Sequence, residues 1–256
     1  VRKEASKITK VSGLGDNFLV GGYDLSGDIA SLESISQPMS PLDVTAINES
    51  AHERIGGMID GSLAFTSFFN PVAGQAHPIL KALPRTDVQM MYLRGTVLGN
   101  SAAAQVGKQV DYAPKRGTDG SLTVSVSAQA NGFGLEWGQQ VTAGLRTDTV
   151  ATAGSPVDFT AATSFGFQAY LQVTAFTGTD VTVKLQDATT SGGSYSDVAG
   201  GAFAQTTAAH TVQRISSVNT ATVREFVKAT TVTTGGFTSV TFCVILVKNT
   251  SAGVRF

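Results

Sequence analysis

The chain has 256 residues, a net charge of −1 and a charged fraction of only 14%, against about 25% in an average soluble domain. That length can bury one large β core or two modest ones, and the near-zero charge excludes a whole-molecule field that would draw nucleic acid or an acidic membrane. A lone cysteine, Cys243 in VTFCVILV, excludes an internal disulfide framework and fits folding in a reducing compartment, while no apolar run approaches the roughly 20 residues of a membrane span.

Residues 1–20 read as an N-terminal arm. Arg2, Lys3, Lys7 and Lys10 precede the turn-rich SGLGDN, and no apolar stretch follows the basic residues, so the segment does not read as a signal peptide. LVGGYDLSGDIASLESIS (19–36) predicts a strand, a turn and a second strand. Residues 37–57, QPMSPLDVTAINESAHERIGG, carry two prolines, the charges Asp43, Glu49, Glu53 and Arg54, and little periodicity. They predict a long loop or extended hairpin, and long loops in compact proteins are usually functional or disordered. In so charge-poor a chain, these four residues, with Arg2, Lys3, Lys7 and Lys10 of the arm, are candidates for contact with another subunit.

The quartet Asp-Gly-Ser-Leu occurs twice, in MIDGSLAFTSFFN (58–70) and TDGSLTVSVS (118–127). Asp-Gly favours a turn that tolerates positive φ. The period of two then puts Leu63, Phe65 and Ser67 on one face, and Leu122, Val124 and Val126 on one face with Ser and Thr opposite. Two turns feeding two strands of one antiparallel sheet is the expectation. Between them QAHPILKALPRTD predicts a short helix, with Pro78 in its first turn, Pro84 ending it, and an apolar face of Ile79, Leu80 and Leu83. VQMMYLRGTVLG follows as a strand, and FGLEWGQQVTAGLRTDT leaves the domain with Trp137 as its anchor.

The composition changes near residue 148. Residues 1–150 hold 12 basic and 14 acidic residues, leaving 6 and 5 for residues 151–256. The expected organisation is an arm (1–20), a β domain (21–147) containing the loop 37–57, a linker (148–158) and a C-terminal β-sandwich (159–256). The last rests on five β runs separated by Gly/Ser/Asn/Thr turns: FGFQAYLQVTAF, DVTVKLQDA, TVQRISSV, TVREFVKATTV and SVTFCVILVKN. TTSGGSYSDVAGG reads as a hairpin tip.

Nothing in the sequence points to catalysis. His52, His77 and His210 lie at no metal-ligand spacing, there is no Gly-x-Ser-x-Gly elbow, and the Gly-rich pieces lack the lysine and helix of a phosphate loop. Asp180 and Asp187 flank VTVKLQ, where they serve as turn residues or touch a calcium ion at a sandwich end. No cofactor is expected. Tyr170, Tyr195 and Phe203 are candidates for a carbohydrate-binding surface, with core or hairpin packing as the alternative.

GYDLSGDI (22–29), LDVTAINESAHERIGGMIDGSLAFTSFFNP (42–71), VDYAPKRGTDGSLTVSVSAQANGFGLEWG (110–138) and VTVKLQDA followed by GGAF (181–203) resemble, in order and spacing, the major tail (tail tube) proteins of long-tailed bacteriophages, those of actinobacteria above all. The resemblance covers most of the chain. It implies a mainly β chain: a tail-tube-type β-sandwich or barrel with one short helix, then a C-terminal β-sandwich decorating the tube exterior. It also implies hexameric rings stacked into a tube, a tape measure protein and a tail terminator as partners, phage DNA passing through without specific binding, and no catalytic residues. The location implied is the virion tail, assembled in the host cytoplasm without a membrane. A virion surface-binding module and a capsid decoration protein are the alternatives.

Overall fold

The computed structural model describes residues 12–251. Arg2, Lys3, Lys7 and Lys10 lie outside the described residues. In chain order the first half comprises β1 (Asn17–Val20), β2 (Tyr23–Asp24), β3 (Ile29–Ser36), β4 (Met39–Asp43), β5 (Arg54–Ile59), β6 (Ser62–Phe68), α1 (Ala76–Leu80), β7 (Val88–Leu93), β8 (Ser101–Arg116), β9 (Leu122–Ala130), β10 (Glu136–Gln140) and β11 (Arg146–Asp148). The second half comprises β12 (Val157–Asp158), β13 (Phe167–Gly178), β14 (Thr182–Ala188), β15 (Ser196–Ala202), β16 (Thr211–Ser216), β17 (Phe226–Val232) and β18 (Phe237–Lys248). The protein is mainly β and built of antiparallel sandwiches, as expected.

The repeated quartet leads into directly paired strands. β6 and β9 run antiparallel with Leu63 opposite Ala128 and Phe65 opposite Val126, and all four side chains are buried. The two glycines nevertheless serve different ends. Gly120 has φ +89° in an open turn, the conformation that only glycine adopts cheaply. Gly61 has no positive φ; a Cβ there would lie 2.4 Å from the Leu135 nitrogen, so it is required by close packing and not by a turn.

β8 joins two layers. Its residues 102–107 pair with β7 and residues 107–116 pair with β9. At the corner, a Cβ on Gly107 would stand 2.1 Å from the Gln129 carbonyl oxygen. The first core, with Phe18, Leu63, Phe65, Met90 and Val126, fills the space between these layers. α1 closes one end with Ala76 and Leu80 buried. It stops before Pro84, and Leu83 is exposed with φ +39°, so the expected Ile79/Leu80/Leu83 face gives way to an i, i+4 pair. The expected arm also ends inside the fold, since Phe18, Leu19 and Val20 are buried in β1.

The second core packs β13 and β18 against the sheet β12-β17-β14-β15, through Phe167, Leu171, Leu185, Val227 and Phe242. One sheet runs through both halves in the order β16-β13-β18-β10-β8-β7-β1-β2. Strands in a flat sheet lie about 4.8 Å apart, so β7 and β18, three steps apart, would be separated by about 14 Å. Yet Cys243 Sγ on β18 is 3.4 Å from Met91 Sδ on β7, and Gln172 Nε2 on β13 donates to the Gln89 carbonyl on β7 at 3.0 Å. The sheet therefore doubles back on itself. A third core lies in the fold, where Leu19, Met91 and Leu93 meet Tyr170, Cys243 and Ile245.

The stretch expected as a linker is tied down along its length. Arg146 donates to the Asp148 carboxylate, Thr231 Oγ1 donates to Asp148 at 2.7 Å, Ala153 bridges Thr230, and β12 pairs with β17. With β10 and β11 both hydrogen-bonded to β18, the change in charge density at residue 148 does not coincide with a break in pairing or in core.

Candidate functional site: a projecting ribbon

β3 continues into β4, and β5 into β6, with only two residues between in each case. β3 pairs with β6 and β4 with β5, so residues 29–68 form one long hairpin. Its proximal half belongs to the first sandwich. Its distal half, β4 and β5, is a separate two-stranded sheet that no third strand joins among the described residues. Residues 37–57 are thus an extended hairpin, one of the two forms expected from their sequence.

The tip is held by short-range polar bonds. The Asp43 carboxylate accepts from the Thr45 amide at 3.0 Å and from His52 Nδ1 at 2.8 Å. Thr45 Oγ1 in turn accepts from the Glu53 amide at 2.9 Å. The bond from the Thr45 hydroxyl, with the Thr45 amide and His52, holds the Asp43 carboxyl below the usual carboxylate range. Pro41 interrupts the ladder at a register shift, and a Cβ on Gly57 would stand 2.6 Å from the Ser40 carbonyl, so the strands close only because glycine is there. Of the candidate contact residues, Asp43 and Arg54 are register partners. Glu49 and Glu53 stand with them on the exposed ribbon.

The more informative residues are apolar, and charge-based reading missed them. Met39, Leu42, Val44 and Ile55 are about half exposed, Met58 is 86% exposed, and Ile47 is fully exposed at the tip. An isolated two-stranded hairpin is at best marginally stable in water, and clustered exposed apolar side chains mark interaction surfaces. The signal available in the sequence was Met, Leu, Val and Ile recurring through a segment with no third strand to cover them. β3, β15 and β16 each have one unpaired edge among the described residues, a second kind of surface that another chain can extend.

The other expected site residues fall elsewhere. Tyr170 and Phe203 are buried and cannot form a surface: the first bonds Glu136, the second belongs to the second core. Tyr195 is half-buried beneath Lys228, whose Nζ lies 4.1 Å from the ring centre. Trp137, expected as an anchor, is 47% exposed; β10 is anchored instead by Glu136 and Gln140 on its other face. Asp180 accepts from the amides of Thr234 and Gly235, and Asp187 from Arg224 Nε at 2.7 Å. Both carboxylates therefore serve turns and an ion pair, the turn-residue alternative. Cys243 is buried, and burial pushes its thiol up to about 12.

No family model and no curated protein sequence matches the chain. Among solved structures, the Dit protein of phage SPP1, described as a paradigm of the hub adsorption apparatus in phages infecting Gram-positive bacteria, is 12% identical with a TM-score of 0.33, over 91% of this chain and 99% of that one. Two structures of the phage p2 baseplate in its activated conformation, with strontium and with calcium, are each 8% identical with the same TM-score, over 91% of this chain and 98% of theirs. A TM-score of 0.33 is lower than a common fold produces, so these similarities assign neither fold nor role.

Proposed function

We propose that this chain is a structural, non-enzymatic subunit of a bacteriophage tail, which polymerises as stacked hexameric rings into the tail tube, a passive conduit for DNA entering the host. One observation carries the assembly reading: a ribbon of six large apolar side chains stands clear of the sandwich with nothing among the described residues to cover it. The ring and the tube come from the family resemblance. In a ring the contact is heterologous, two different patches meeting, and the unpaired sheet edges supply a second patch. Tape measure protein and tail terminator are the further partners on this reading, and the virion tail, assembled in the host cytoplasm, is the location. Nothing among the described residues offers a duplex a basic stripe, which suits a lumen that lets a polyanion slide. Negative-stain microscopy of the purified chain tests the proposal. Tubes or six-fold rings support it; a monomer at every concentration tried counts against it.

A further inference from the structure

Where the doubled sheet opens at its edge, three clefts of about 270, 370 and 270 Å³ adjoin around Lys248. The cleft on the inner side is lined by Gln168, Glu136, Gln37, Trp137 and Thr250, with Lys248. Gln168 is the informative residue. It is 2% exposed, it lines the cleft, and its side-chain amide makes no hydrogen bond among the described residues. The buried side-chain atoms without a partner among the described residues are Gln89 Oε1 and the Gln105 amide, not Gln168, whose amide opens onto the cleft and so has a donor and an acceptor to offer whatever enters.

The charges around it are already satisfied. Glu136 receives Arg214 Nη2 at 3.1 Å and the Tyr170 hydroxyl. The Lys248 ammonium donates to the carbonyls of Arg224 at 2.6 Å, Ala161 at 3.1 Å and Glu225 at 3.3 Å, and it sits 4.6 Å from the centre of the Phe159 ring. Neither an anion nor a cation finds an unspent counter-charge. What remains is three primary amides (Gln37, Gln168 and Asn249, the last already donating to the Phe165 carbonyl at 2.9 Å), a hydroxyl (Thr250) and a half-exposed indole on the wall. Amides and hydroxyls both donate and accept, and an indole offers apolar surface to C–H groups. We propose that this cleft binds a neutral saccharide, its hydroxyls paired with the Gln168 and Gln37 amides and its ring edge against Trp137. Gln37 lies at the base of the hairpin 37–57, and no residue of the hairpin's tip lines the cleft.

Trp137 is the only tryptophan, so its fluorescence reports on the cleft wall directly. The full chain is titrated with glucose, galactose, rhamnose, N-acetylglucosamine, maltose and lactose, and with inorganic phosphate and choline as charged probes. A saturable change with at least one sugar, with a Kd of about millimolar or tighter and none with phosphate or choline, is expected. Gln168→Leu should weaken that binding about tenfold, because the hydroxyl loses its buried partner. Gln37→Ala, at an exposed position that the fold does not depend on, should weaken it several-fold and serves if Gln168→Leu does not fold. No saturable response to any of the sugars overturns the proposal. So does a response to phosphate or choline alone, or wild-type affinity in every variant that folds.

Discussion

Ending the chain after Thr152 removes β12 to β18 and uncovers the inner face of the doubled sheet. Leu19, Met91 and Leu93 are each fully buried and meet Tyr170, Cys243 and Ile245 there. Burying a large apolar side chain contributes about 1.5–3 kcal/mol, so these three alone forfeit about 5–9 kcal/mol. β10 also loses its pairing with β18, keeping only β8, and β11 loses its one strand partner. A whole domain is stable by about 5–15 kcal/mol, so the loss matches what the first sandwich could hold in total. The fragment 1–152 should therefore be unfolded or molten as a monomer. Urea titration followed by circular dichroism, alongside an amide proton–nitrogen NMR spectrum, checks this. A dispersed spectrum with one cooperative transition would show that the first sandwich stands alone and that the third core contributes little.

Deleting residues 42–54 should leave the melting temperature within a few degrees of the full chain, since the ribbon adds nothing to any of the three cores, while abolishing assembly; sedimentation velocity and negative stain read the two effects separately. Gly61→Ala should destabilise far more than Gly120→Ala despite the shared quartet. The first drives a methyl into the Leu135 backbone, whereas the second costs about 1–2 kcal/mol for a left-handed alanine; equal urea midpoints would contradict the assignment. Cys243 should resist thiol reagents until the protein unfolds. Its folded pKa of about 12 lies above the unfolded value of about 8.5, so its contribution to stability is complete below about pH 8.5 and is lost as pH rises towards 12. The stability difference between wild type and Cys243→Ala should shrink across that window, and a flat difference would contradict it.

Where burial is one-sided, alternation in the sequence was enough to place strands: Leu63 and Phe65 in β6, Val124 and Val126 in β9, and the five runs of the second half all lie where periodicity put them. The 16-residue β8 was not legible, because SAAAQVGKQV has the small residues and glycine of a corner strand without the β-branched side chains that announce one. The doubling of the sheet was invisible for a related reason. β13 and β18 are buried on both faces, so the alternation of Tyr170 and Gln172 with apolar residues along β13 gives no sign that these two side chains lie in a further interior. The drop in charge at residue 148 reflected a better-covered half and not a boundary. The charges of the ribbon drew attention to the right segment, but only the absence of a third strand among the described residues, a tertiary fact, leaves Met58 and Ile47 exposed.

The continuity of β5 into β6 has a mechanical consequence. A pull on the ribbon passes along a strand axis into the first sandwich, with no slack loop to absorb it. β6 is held on one side by β9 through seven consecutive register partners and on the other by β3. Load along the axis shears these ladders, so their hydrogen bonds resist together, whereas a force across the strands would unzip them one at a time. The ribbon is consequently a stiff handle on the fold: strain applied at its tip is delivered to the middle of a sheet, where it is shared, before any single contact has to give.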